Sequence, residues 1–273
     1  MNTIVKIIFA SLFALSAQYI SDILSLMAGA LLPHNCNDFL QSTMIGITNI
    51  IVTVLLLKYI ALRRFRIDSS FLFINAKFKD IIISSLLCVI IFGTLALITL
   101  PMTTEFILSP KGRIPIILYN SLLNRGISTA IGEELIFRGF LFSYILTLTN
   151  PIKAFIISIF VFTLPHVVIF QPNWHTLLIL INYLSISFLL TALYFKTNNI
   201  STSISFHAMY NFILYGIWNV ANPGEPSSAV VTSLMGNHQK NIYIGLLIVF
   251  QIAVACFVLI RNNPSFVRDI NDP

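Results

Sequence analysis

Residues 81–100 read IIISSLLCVIIFGTLALITL, twenty consecutive positions without an acidic or basic side chain, closed by Pro101. At a rise of 1.5 Å per residue such a run makes a helix about 30 Å long, the thickness of a bilayer's hydrocarbon core. Working outward, comparable runs occupy about 3–32, 42–62, 115–148, 151–170, 174–195, 200–220 and 242–260. Inside lipid the backbone must satisfy its own polar groups, so each run is expected to be helical. The expectation is an all-α, polytopic membrane protein of about eight transmembrane helices. It is read as a single membrane domain over 1–273, with a motif-bearing core at about 115–220.

Composition agrees. Hydrophobic residues make up 57% of the 273, charged residues 10%, and the mean hydropathy is +0.89. A soluble domain carries about a quarter charged residues, so this chain could not cover a water-facing surface. The net charge of +6 does not imply nucleic-acid binding, because the basic residues lie in short loops where they set orientation. With the N-terminus in the cytoplasm, eleven of the sixteen Lys and Arg fall at cytoplasmic loops and span ends, against Lys111, Arg113 and Lys240 outside. Both termini are then expected in the cytoplasm, and the compact loops suggest a bacterial inner membrane. The basic, Phe-containing segment 63–80 suits an amphipathic piece on the inner leaflet. Lys6 and the apolar stretch after it resemble a secretory signal, but the run continues to about Leu32, which favours an uncleaved first span. Cys36, Cys88 and Cys256 are scattered, two of them inside spans, which speaks against a disulfide framework.

Carboxylates inside lipid are costly and mark function. Of ten acidic residues only Asp22, Glu133 and Glu134 fall within spans. Adjacent glutamates in Gly132-Glu133-Glu134-Leu135-Ile136-Phe137-Arg138 are the strongest anomaly. Glu134 and Arg138 are spaced i,i+4 and can form an ion pair. Glu133 is turned about 100° away and lacks that partner; a desolvated carboxyl of this kind suits proton transfer near neutrality. The fifth span ends its motif at His166, and the seventh sets His207 and Asn211 on one face at i,i+4. Together these groups supply a base, a proton carrier and neutral donors, as a hydrolase needs. His34, His175 and His238 sit in loops or at a turn without such company. Asp22 is expected to hydrogen-bond within the bundle. If spans five and seven both run outward, His166 lies about 22 Å from the start of its helix and His207 about 10 Å, a mismatch in depth.

The ordered trio Glu133-Glu134-x-x-x-Arg138, Phe162-x-x-x-His166 and His207-x-x-x-Asn211 resembles the CPBP family: the CAAX prenyl endopeptidases of the Ras-converting type and bacterial relatives linked to bacteriocin processing and immunity. The resemblance covers about 130–211 and implies an intramembrane glutamic endopeptidase. Glu133, helped by His166, would activate water; His207 and Asn211 would stabilise the oxyanion; Glu134 and Arg138 would brace the site. The implied partner is a membrane-associated or lipidated peptide or protein substrate, with no cofactor. One Glu and two His could also ligate zinc. There is no His-Glu-x-x-His, no Gly-x-Ser-x-Gly and no intramembrane aspartate pair. The competing functions are a non-proteolytic scaffold or immunity protein on the same fold, and a proton-coupled transporter.

Overall fold

The computed structural model describes residues 2–33, 37–65, 77–166, 174–221 and 229–260. It contains eight helical rods: α1 (Thr3–Ala30), α2 (Asp38–Phe65), α3 (Phe78–Met102), α4 (114–148), α5 (Pro151–His166), α6 (Trp174–Thr197), α7 (200–217) and α8 (Asn237–Ile260). Among these, α1, α2, α3, α6 and α8 are long and apolar enough to cross a membrane; α5 is apolar but shorter. The chain is a polytopic helical membrane protein.

Its packing is inverted relative to a soluble bundle. On α1 the buried stripe is small or polar (Ala10, Ala14, Ala17, Ser21, Ser25, Gly29), while Phe9, Leu12, Ile20 and Ile23 face outward. The facing stripe of α2 is Ser42, Gly46, Asn49 and Thr53. Lipid is as apolar as leucine, so small residues that admit close backbones and polar side chains that bond across helices decide which faces meet. Ser21 Oγ lies 2.8 Å from Thr53 Oγ1 and donates to the Asn49 carbonyl at 2.9 Å. Asp22, as expected, is held by hydrogen bonds: it accepts from Gln18 Nε2 at 2.9 Å and from Asn49 Nδ2 at 3.0 Å.

Among the described residues, three rods contain π turns: α2 at Leu57–Ala61, and α4 and α7 beside the motif residues. α4 contains π turns at Ser121–Ser128 and Leu135–Phe142, one on each side of the two glutamates, and α7 ends in another at Ile213–Ile217. The wider turns are supported by hydroxyls reaching back five residues, Thr129 Oγ1 to the Asn124 carbonyl (2.9 Å) and Ser143 Oγ to the Arg138 carbonyl (3.3 Å). Single π turns inside α-helices are frequent at functional sites.

The expectation that every element is helical needs one correction. Residues 218–220 leave the seventh helix and join a small sheet of order β1-β3-β2, with β1 at Glu105–Leu108, β2 at Trp218–Ala221 and β3 at Val231–Leu234. β3 runs antiparallel to β1 and parallel to β2. Each strand is only four residues, too short to stand out from an apolar run in sequence. His175 and His238 also change place: both lie in first turns of helices, α6 and α8, rather than at a turn or in a loop. His34 and most of 63–80 lie outside the described residues. Cys88 and Cys256 are free thiols.

Candidate active site

α4 brings Glu133 and Glu134 into the interior because Gly132 lets α2 approach. A Cβ at Gly132 would stand 2.9 Å from Asn49 Oδ1 and 3.4 Å from Thr53 Oγ1. Glu134 and Arg138 are both completely buried, and Nη1 of Arg138 donates to Glu134 Oε1 at 3.0 Å. The rest of the guanidinium is satisfied from α6: Nη2 donates to the Ser187 carbonyl (3.2 Å) and Ser187 Oγ (3.0 Å), and Nε to Thr191 Oγ1 (3.4 Å).

The same Glu134 oxygen takes a second partner. His207 Nδ1 lies 2.9 Å from Glu134 Oε1. An ion-paired carboxylate can only accept, so Nδ1 carries the proton, and in the neutral ring Nε2 is bare. That Nε2 lies 3.8 Å from Glu133 Oε2.

His166 reaches an equivalent state by another route. Pro165 has no N–H, α5 tightens into a 3-10 turn at Leu164–His166, and the Phe162 carbonyl pairs with His166 Nδ1 at 3.0 Å. A carbonyl accepts only, so here too Nε2 is bare in the neutral ring, 4.0 Å from Glu133 Oε1. The imidazole is flanked by the rings of Phe162 (centroids 5.0 Å apart) and Tyr183 (4.4 Å). Phe162 in turn lies under the Arg138 guanidinium, 4.2 Å from its centroid to Cζ. Arg138 therefore steadies both histidines, one through Glu134 and the other through Phe162. The spacing Phe162-x-x-x-His166 has a physical meaning that sequence alone did not disclose: the residue at its first position supplies a carbonyl and a ring face.

Asn211 lies one turn beyond His207 and donates from Nδ2 to the Arg125 carbonyl at 2.8 Å, which leaves its second amide hydrogen for another acceptor. Glu133, His166, His207 and Asn211 all line one cavity of about 300 Å³, together with Arg125, Thr129, Asn182 and Tyr183 among others. Glu133 Oε2 is buried without a hydrogen-bond partner. The two gaps of 3.8 and 4.0 Å from Glu133 to the imidazoles are too long for direct hydrogen bonds and suit groups that share a small polar molecule.

The expected depth mismatch does not keep His166 and His207 apart: both line the cavity that holds Glu133. Asn199, Ile200, Ser201, Thr202 and Ser203 at the start of α7 are all buried against neighbouring helices. α7 starts from a tight turn with the exposed Asn198 at φ 46°; Asn199 caps Ser201 and donates from Nδ2 to Asp80 Oδ2, in the first turn of α3, at 2.9 Å.

Together these features define a helical membrane protein with a carboxylate and two imidazoles gathered in one internal cavity. Residues 113–213 match the family model of the type II CAAX prenyl endopeptidase Rce1-like proteins. Over this segment, which is less than half of the chain, the protein is similar to the Rce1-like proteins, in line with the resemblance carried by the three motifs. The UPF0177 protein YxdF of Lactococcus lactis subsp. lactis (strain IL1403) is 35% identical over 100 residues, 37% of this chain. The match spans about half of that relative's length (50%).

Proposed function

We propose that this chain is an intramembrane endopeptidase that uses a glutamate-activated water on a membrane-associated or lipidated peptide. The observation that carries the reading is the convergence of Glu133 with two imidazoles whose Nδ1 protons are already committed, so that both present Nε2 to the same carboxylate. A water between Glu133 and His166 Nε2 has acceptors for both its protons. It gives one to Glu133 as its oxygen attacks the scissile carbonyl carbon. The oxyanion is met by the second Nδ2 hydrogen of Asn211 and by His207, which donates from Nε2 once the proton taken up by Glu133 has been relayed to it through a shared water across the 3.8 Å gap. Collapse breaks the C–N bond, and the proton taken from water leaves with the amine. Preorganised donors in a site shielded from bulk water are worth most for such a step.

Glu134, Arg138 and Phe162 act as positioning residues. The mechanism needs no metal, and the single domain would sit in a bacterial inner membrane with both termini cytoplasmic. Membrane proteomes of cells carrying the wild type or Glu133→Gln test the proposal. The expected result is a set of peptide termini present with the wild type and absent with the variant at equal expression. Identical termini, with any biological phenotype surviving the substitution, would assign the chain to a scaffold or immunity role instead.

A further inference from the structure

Arg125 is a cation with no part in the chemistry above. It stands eleven positions into α4 and lines the cavity that holds Glu133. Its guanidinium lies over the Tyr215 ring at 4.7 Å, and among the described residues no carboxylate forms an ion pair with it. Arg138 shows how this fold treats a purely structural arginine: wholly buried, paired, and supplied with three further acceptors. Arg125 is instead exposed toward the cavity. Ionisable groups inside a membrane bundle are costly and mark the paths of substrates.

The π turn decides where Arg125 points. On a regular helix the eight positions from Arg125 to Glu133 sweep about 800°, which leaves the two about 80° apart. A π turn absorbs an extra residue, so eight positions behave like seven, about two whole turns. Arg125, Thr129 and Glu133 consequently form one stripe in the cavity wall, faced by His207, Asn211 and Tyr215 from α7. Along both helices the stripe is about 12 Å long, with Glu133 and His207 at one end and Arg125 and Tyr215 at the other. An extended peptide advances about 3.3 Å per residue, so the stripe accommodates about three to four residues.

We propose that Arg125 is a specificity-determining residue that binds a carboxylate of the substrate three to four residues from the carbonyl attacked at Glu133. This rests on the peptidase reading for the second half of that statement only. The carboxylate is either the peptide's own terminus or an acidic side chain; both offer the guanidinium a planar, bidentate partner.

The test uses the full chain in phosphatidylcholine nanodiscs, with Glu133→Gln to prevent turnover. Three capped apolar hexapeptides serve as probes: one with a free terminal carboxylate, its amide, and the amide with a terminal Asp. At least one carboxylate probe is expected to bind about 10- to 100-fold more tightly than the plain amide. That preference is expected to vanish on adding Arg125→Gln and to survive in part with Arg125→Lys, which separates loss of charge from loss of fold. The probe that is preferred tells terminus from side chain. Equal affinities, no measurable binding, or a preference that persists in Arg125→Gln would overturn the proposal; if Arg125→Gln then altered only retention of phosphatidylglycerol, the arginine would belong to a lipid. Cleavage by the protein with Glu133 intact is scored separately. Carboxylate preference without cleavage would remove the peptidase reading and keep the site, and cleavage without preference would do the reverse.

Discussion

Replacing Glu134 with Gln keeps the shape of the side chain and an oxygen for His207 but removes the charge facing Arg138. At the observed 3.0 Å and an effective dielectric of about 20, the lost attraction is about 5 kcal/mol. Measured costs of breaking a buried pair at one end are about 3–5 kcal/mol, because a desolvated charge is left behind. Glu134→Gln should therefore lower the midpoint of thermal unfolding by roughly 10 °C. Arg138→Met should cost a similar amount. The double variant should recover most of the loss, since no orphaned charge remains and the Ser187 carbonyl keeps a bond from Thr191 Oγ1 at 2.8 Å. Unfolding of the four proteins in one nanodisc preparation measures the coupling, expected to be about 3 kcal/mol or more. Activity is expected to stay low in the double variant, because Phe162 has lost the guanidinium and Glu134 its charge. Strictly additive stabilities, or a double variant as active as the wild type, would refute the view that this pair is both a stability element and the brace of the two histidines.

Other outcomes follow from the same geometry. Glu133→Gln should reduce cleavage by at least about 10³-fold, with unfolding unchanged to within about 1 kcal/mol, since this carboxyl has no ion-pair brace to lose. Phe162→Leu removes the ring between Arg138 and His166 while keeping the carbonyl; it should cost about 1–2 kcal/mol in stability and lower kcat more than it raises KM. Gly126→Ala should be worse than its size suggests: the new Cβ would stand 2.9 Å from the Ser121 carbonyl oxygen and 3.2 Å from that of Ala208. These are backbone atoms, so the π turn of α4 and α7 must both give; a stability loss of about 2–3 kcal/mol and reduced turnover are expected, and an unchanged melting curve would contradict the close packing. Activity should survive exhaustive chelation. Complete loss that zinc restores would replace the metal-free mechanism with a Glu133–His166–His207 zinc site.

Much of this protein was legible in one dimension because the bilayer imposes a strong rule. Runs such as 81–100 must be helices, since nothing in lipid but the chain itself can satisfy the backbone, and carboxyls placed among them need a reason. The i,i+4 spacing of Glu134 and Arg138 likewise fixed a local partnership, which is present at 3.0 Å. What the linear pattern could not contain is depth and long-range contact. His166 and His207 looked mismatched when depth was counted along each helix, yet both line the cavity that holds Glu133. The bond from His207 to Glu134 crosses 73 positions of chain, and Phe162 gained its role only when α5 came to rest against Arg138. The π turns had no signal in apolar periodicity, yet they decide that Arg125 shares a wall with Glu133. Local geometry is set by each residue's neighbours in sequence; the meeting of three helices around one carboxyl is set by which small and polar faces can pack, and only the folded bundle decides that.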